Sequence, residues 1–251
     1  LFGTFLFLLN LYIIGIPLFD SSLKPLFRNE IWCLAYTLIL FGTVFYFNKT
    51  GNITVPLFSM AIVVFSGYRV DFIMLFLSIF AILVMKKQIS FSKAFVIFFL
   101  SSAFILVYSY LLSAKNPVSN ILYRFSFTYN IFSKAVTAGG LLGKTHGTIF
   151  FSIHPIPKAL AGLHLAGYMH PITTTTFGIV FLDFGLVGAV FFSFLFAFFL
   201  EKFYICAENR SELLPFYAII FGVSVPLIDL GIDCFYLFLY LSLFYLLIED
   251  R

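Results

Sequence analysis

Long apolar runs separated by short polar breaks dominate the chain. They cover residues 1–19, 31–47, 55–67, 72–85, 94–112, 174–200, 216–228 and 234–248. Such runs are longer than the short alternating segments of an outer-membrane barrel, so they predict membrane-spanning helices. The expected fold is an all-α polytopic bundle of about eight spans in a single membrane domain, 1–251. The runs 55–67 and 72–85 each fall short of the ~20 residues that cross a bilayer upright. They read as two short spans meeting at Arg69 or as one broken helix lining a cavity. The runs 216–228 and 234–248 form a second short pair, around Asp229 and Asp233. The two pairs share an outline but no residue-level similarity, which leaves an architectural repeat open. Between the runs 94–112 and 174–200 lies a polar segment of 59 residues, 113–171. It is expected to form one long extracytoplasmic loop with short helices.

Composition agrees with the pattern. The chain of 251 residues is 62% hydrophobic and 10% charged, with 38 phenylalanines. Soluble domains hold about 45–50% apolar and about 25% charged residues, and cannot cover this much apolar side chain. A soluble enzyme, a disordered protein and a disulfide-rich secreted domain are thereby excluded. The three cysteines, Cys33, Cys206 and Cys234, are scattered, so neither a disulfide framework nor a metal site is expected. The chain begins at Leu1 inside an apolar run, without a signal-peptide pattern. The expectation is an N-terminally clipped chain whose further spans are missing.

The net charge of +4 says less than its distribution. Placing Lys86, Lys87 and Lys93 in the cytoplasm puts Lys49, Lys202, Arg210 and Arg251 inside as well, with Lys24, Arg28 and Arg69 in short outer loops. The segment 113–171 then falls outside. The sequons at Asn48 and Asn52 would be cytoplasmic and unused, and glycans there would overturn this orientation.

Four places hold candidate chemistry. Arg69 is permanently charged and offers a fork of donors suited to phosphate oxygens. It also fits an interfacial residue that snorkels or pairs with Asp71. The loop 113–171 holds Lys115, Arg124, Lys134, Lys144 and Lys158 with no acid, and all four histidines: His146, His154, His164 and His170. A basic loop at a membrane surface attracts anions, either lipid-linked phosphates or plain headgroups. The histidine spacings of 8, 10 and 6 match no metal motif. Within the loop, residues 138–145 read Ala-Gly-Gly-Leu-Leu-Gly-Lys-Thr, a relaxed phosphate-loop pattern. It lacks the strand, the acid and the α/β setting of a nucleotide site, so NTP binding is not expected. Thr173, Thr174, Thr175 and Thr176 supply hydroxyls that either cap a helix or bind sugar hydroxyls. Asp183 follows, with 17 uncharged residues after it, about 25 Å of helix. It lies near the outer end of its span, as a capping device or as a base facing substrate. Asp229 and Asp233 share a face if helical, as a polar outer turn or a cation-coupling site.

Two blocks of residues resemble a known family. Ser66-Gly67-Tyr68-Arg69, an apolar span and then Lys86-Lys87 resemble an element of oligosaccharide repeat-unit polymerases and related O-antigen ligases. Tyr123-Arg124-Phe125-Ser126, with Thr173–Gly178 and Phe181-Leu182-Asp183-Phe184-Gly185-Leu186-Val187-Gly188, is similar to the archaeal branch of the O-antigen polymerases. The resemblance covers about half the chain, 66–93 and 121–200, with fewer spans than typical members.

The resemblance implies an integral-membrane glycosyltransferase in the cytoplasmic membrane. It would polymerise polyprenyl-diphosphate-linked repeat units at the outer face, for surface polysaccharide in the cell envelope, without a nucleotide sugar or other cofactor. Arg69, Arg124 and Lys144 would hold the diphosphate. His146, His170 and Asp183 are the candidates for the base. Thr173 to Thr176 would meet the sugar. Partners would be the lipid-linked glycans, membrane lipids and other glycan-assembly proteins, with no nucleic acid. Two other readings stay open. One is a transporter or flippase for an anionic or lipid-linked substrate, suggested by the short broken spans. The other is a non-catalytic scaffold.

Overall fold

The computed structural model describes residues 1–90, 117–151, 156–167 and 175–230, and the single positions 92, 93, 96, 172, 243 and 246. The expected spans 94–112 and 234–248 lie essentially outside the described residues. Every regular element among those described is helical: α1 (Phe2–Ile14), α2 (Lys24–Phe27), α3 (Glu30–Thr50), α4 (Thr54–Val64), α5 (Arg69–Met85), α6 (Pro117–Gly139), α7 (Ile156–Ala166), α8 (Thr176–Asn209) and α9 (Leu214–Leu230). Two of them, α3 with 21 residues and α8 with 34, are long and apolar enough to cross a membrane. The chain divides into two compact units. Unit 1 is residues 1–119 and 210–222, and unit 2 is 120–209 and 223–251.

In unit 1, α1, α3, α4 and α5 pack on one another. Apolar contact alone does not order helices surrounded by lipid tails, so polar ties and close packing do. Asn10 is buried in α1. Its amide donates to the Phe27 carbonyl at 3.0 Å, and its oxygen accepts from Asn29 Nδ2 at 2.9 Å. Asn29 is in turn the N-cap of α3, accepting from the Trp32 amide at 2.9 Å. Thr43 and Ser59 share a hydrogen bond of 2.8 Å between α3 and α4. The Tyr36 hydroxyl donates to the Asp71 carbonyl at 2.8 Å, joining α3 to α5. The start of α9 belongs here too, with Phe216 edge-on to Phe45 at 4.9 Å. One end of this unit gathers Lys86, whose ammonium donates to the Asn48 carbonyl, and Ser211, whose carbonyl accepts from Asn48 Nδ2 at 3.5 Å.

Unit 2 is built on α6, α7 and α8. The segment expected as a loop with short helices contains α6, a helix of 23 residues. No Gly or Pro interrupts residues 118–138, and exposed Tyr123, Phe125 and Tyr129 share the helix with buried Ile131 and Ala135. The core is Ala135, Ile149, Phe150, Ile179, Val180 and Leu182, with Phe181, Phe184 and Phe192 against it.

Candidate functional site

Two polar regions stand out, one in each unit. In unit 1, α4 gives way to α5 through Phe65-Ser66-Gly67-Tyr68. The helix α5 starts at Arg69, earlier than the apolar run from residue 72 indicated, which brings Arg69 and Asp71 into its first turn. Gly67 has φ +69°, and a side chain there would meet the Pro17 carbonyl at 3.1 Å and the Lys24 stem at 2.9 Å. Only glycine lets the two connecting segments approach this closely.

That approach assembles a cationic cluster. The Tyr68 hydroxyl donates to the Lys24 carbonyl at 2.7 Å. The Arg28 guanidinium lies 4.9 Å from the Trp32 ring centroid and 5.1 Å from that of Tyr68, a cation–π pair. Lys24 and Arg69 are close enough to repel. Partial burial first, and the Arg69 charge second, hold the Lys24 ammonium below its ordinary pKa. Burial pushes the Tyr68 phenol up, against the pull of Arg28. Beneath them Asp71 is 1% exposed, its carboxylate accepting from Ser66 Oγ at 3.2 Å. Trp32 Nε1 is buried and faces the same carboxylate. Asp20 is occupied by the Ser22 hydroxyl at 2.7 Å and amide at 2.9 Å, which hold its carboxyl below the usual value, and Glu30 stands exposed in the first turn of α3. The cluster thus presents three cations from two connecting segments, a natural setting for a multivalent anion.

In unit 2, α8 is broken at Gly185, with φ 64° and ψ −159°. In a continuous helix the Leu186 amide would bond to the Leu182 carbonyl. Here it donates to the Gly140 carbonyl at 3.0 Å, and the Val187 amide to the Leu141 carbonyl at 3.3 Å. The Leu182 carbonyl instead accepts from the amides of Lys144 at 2.7 Å and Thr145 at 3.2 Å. The Gly-rich segment therefore supplies the partners that the break removes. A Cβ on Gly185 would lie 2.4 Å from the Leu141 carbonyl, and one on Gly143 would lie 2.0 Å from the Asp183 carbonyl. This is what the phosphate-loop look-alike does: its glycines admit one backbone into the gap of another.

Asp183 completes the repair. It is fully buried, and its carboxylate accepts from the Thr145 hydroxyl, the Ile149 amide at 3.3 Å and the Phe150 amide. Three donors occupy the oxygens that a base would need, so in this structure Asp183 organises the 145–150 turn. Lys144 and His146 stand exposed on that turn, His146 with φ 48°. Thr175 caps α8, its hydroxyl accepting from the Gly178 amide at 3.0 Å, and Thr176 is buried. Arg124 falls on α6, but its side chain lies outside the described residues, as do His154, His170, Thr173, Thr174 and the side chains of Lys158 and Asp229. His164 lies on α7.

In the sequence Lys24 and Arg28 bear only on membrane orientation, and Trp32 carries no mark of function. A signal for them existed: three basic residues in two short loops assigned to the same end. Thr145 as the partner of Asp183 had no such signal, since 37 residues intervene.

The sequence profile of the family described as "Putative O-antigen polymerase" matches residues 1–241. An uncharacterized protein of Methanocaldococcus jannaschii is 30% identical over 196 residues, which are 75% of this chain and 49% of that protein. The chain thus spans about half the length of this relative. No solved structure matches it.

Proposed function

The chain belongs to the O-antigen polymerase family, and from that premise we propose that it joins lipid-linked glycan repeat units at the outer face of the cytoplasmic membrane. In this reading it is a multi-pass glycosyltransferase of surface polysaccharide assembly. The observation that carries the reading is the Lys24–Arg28–Arg69 cluster in a chain with helices fit to span a membrane.

The chemistry is a glycosyl transfer between two polyprenyl-diphosphate carriers. A sugar hydroxyl on one attacks the anomeric carbon held by the other. The new C–O bond forms as the bond to the diphosphate oxygen breaks, and the electron pair leaves with the diphosphate. The hydroxyl proton passes to a base. Charge accumulates on the leaving diphosphate, where cations held in place beforehand stabilise the transition state. Arg69 and Arg28 present guanidinium forks for its oxygens and Lys24 a point charge. Arg28 is steadied by two rings, so it loses less freedom when the anion arrives.

Asp183 acts in this reading as a positioning residue, which leaves His146 and His170 as bases and Thr173 and Thr174 as sugar contacts. Arg124 and Lys144 belong to the acid-free region that draws anions to the membrane surface.

The test is the length of the surface glycan in cells lacking the gene, against cells in which it is restored. Single repeat units after deletion and long chains after restoration are expected. Unchanged chain length, with lipid-linked units accumulating on the inner face, would overturn the reading in favour of a flippase.

A further inference from the structure

We infer that unit 2 carries a lipid site of its own, a groove that seats the hydrocarbon tail of one of the two lipid-linked glycans. The inference rests on the proposed function. A cavity of about 560 Å³ lies between the 142–151 segment and α8, lined by Leu142, Phe150, Phe184, Val187, Phe192 and Leu195 among others. That is the size of an ordinary ligand site. Its wall is a set of interlocked rings, Phe150 standing edge-on to Phe184 at 5.6 Å and to Phe192 at 6.0 Å. The groove is open along α8, where Val187 is 55% and Phe191 63% exposed.

An apolar groove on a helix fit to span a membrane suits a hydrocarbon chain, and the charges at its edge specify what the chain carries. Lys144 and His146 are exposed on the segment between Leu142 and Phe150, both of which line the groove. No Asp or Glu occurs from residue 72 to 182. The turn beside the groove therefore exposes Lys144, while the one acid near it, Asp183, is buried and held by three neutral donors, an arrangement that suits an anionic headgroup above an apolar tail. The proposed transfer also uses two lipid-linked carriers at once, so a place for a carrier tail is needed in addition to a place for a diphosphate.

The experiment uses the purified full chain and farnesyl diphosphate carrying a diazirine at the end of its tail. Photolabelling is expected within 142–151 and 180–195, reduced at least about tenfold by Val187→Trp, which fills the groove from its open side. Leu195→Trp serves as a second block, and thermal melting checks both variants for folding. Unlabelled farnesyl diphosphate should compete, and phosphatidylglycerol at the same concentration should not. Labelling spread evenly over α3 and α8, insensitivity to both substitutions, or equal competition by phosphatidylglycerol would overturn the site. Groove labelling in a protein whose deletion leaves glycan length unchanged would keep the site and overturn the function. Loss of long glycan on deletion, without groove labelling, would overturn the site alone.

Discussion

The two units contain the same local device and use it in opposite ways. Each has a glycine at a break in an apolar helical stretch, Gly67 and Gly185, and each has a buried aspartate close by, Asp71 and Asp183. In unit 2 the break is filled by another stretch of backbone, and the carboxylate takes three neutral donors. In unit 1 the break brings two connecting segments together, and the gathered groups are cations. Asp71 receives one hydroxyl from Ser66 and lies under the charge of Arg28. A buried acid beside a glycine is thus not in itself a sign of catalysis. What surrounds it decides: a hydroxyl and two backbone amides tie Asp183 into the fold, whereas the cations gathered over Asp71 mark a candidate site.

The comparison breaks hardest at Asp183. Asp183→Ala strands three buried donors, each costing about 1–3 kcal/mol, so a loss of about 3 kcal/mol or more is expected in thermal melting of the purified protein. Asp71→Asn keeps an acceptor for Ser66 and should cost about 1 kcal/mol. Equal losses would abolish the distinction between the two acids. Next comes the inserted backbone. Gly143→Ala would force a methyl to 2.0 Å from the Asp183 carbonyl, whereas Gly140→Ala, with nothing within 4 Å, meets only the strain of φ +57°. The first should cost about 2 kcal/mol beyond the second, itself about 1–2 kcal/mol, and similar melting points would mean that the gap in α8 is loose. The smallest effect belongs to the ring pair under Arg28. Tyr68→Leu removes one cation–π face and should cost about 0.5–1 kcal/mol of stability beyond Tyr68→Phe, which loses only the hydroxyl bond to Lys24, while weakening anion binding. Unaltered binding of a polyprenyl diphosphate by that variant would remove Arg28 from the site.

Helices were the legible part of the chain, because an apolar run has no other way to satisfy its backbone in lipid. The long helix α6 was hidden by polar residues that read as loop, although its Gly- and Pro-free stretch was visible. The break at Gly185 was not legible. The run from Phe184 to Leu200 is apolar throughout, and the partners that replace its lost hydrogen bonds lie about 40 residues earlier. The notion that Asp183 faces substrate followed from its place before an apolar run, and its three donors lie 33 to 38 residues earlier, where no pattern in the sequence announces them. Arg69 was legible as a charge where charges are rare. Its companions Lys24 and Arg28 required the closure made by Asn10 and Asn29, whose bonds span 17 and 19 residues, and by Tyr68, 44 residues from Lys24.

The central claim is that the unit 1 cluster stabilises the leaving diphosphate. It is tested most directly by glycan length in cells carrying Arg69→Ala or Arg69→Lys at normal protein level. The account predicts single repeat units with alanine, a loss of roughly 100-fold or more in transfer, and partial recovery of chain length with lysine. Long chains from the alanine variant, at wild-type abundance, would contradict it.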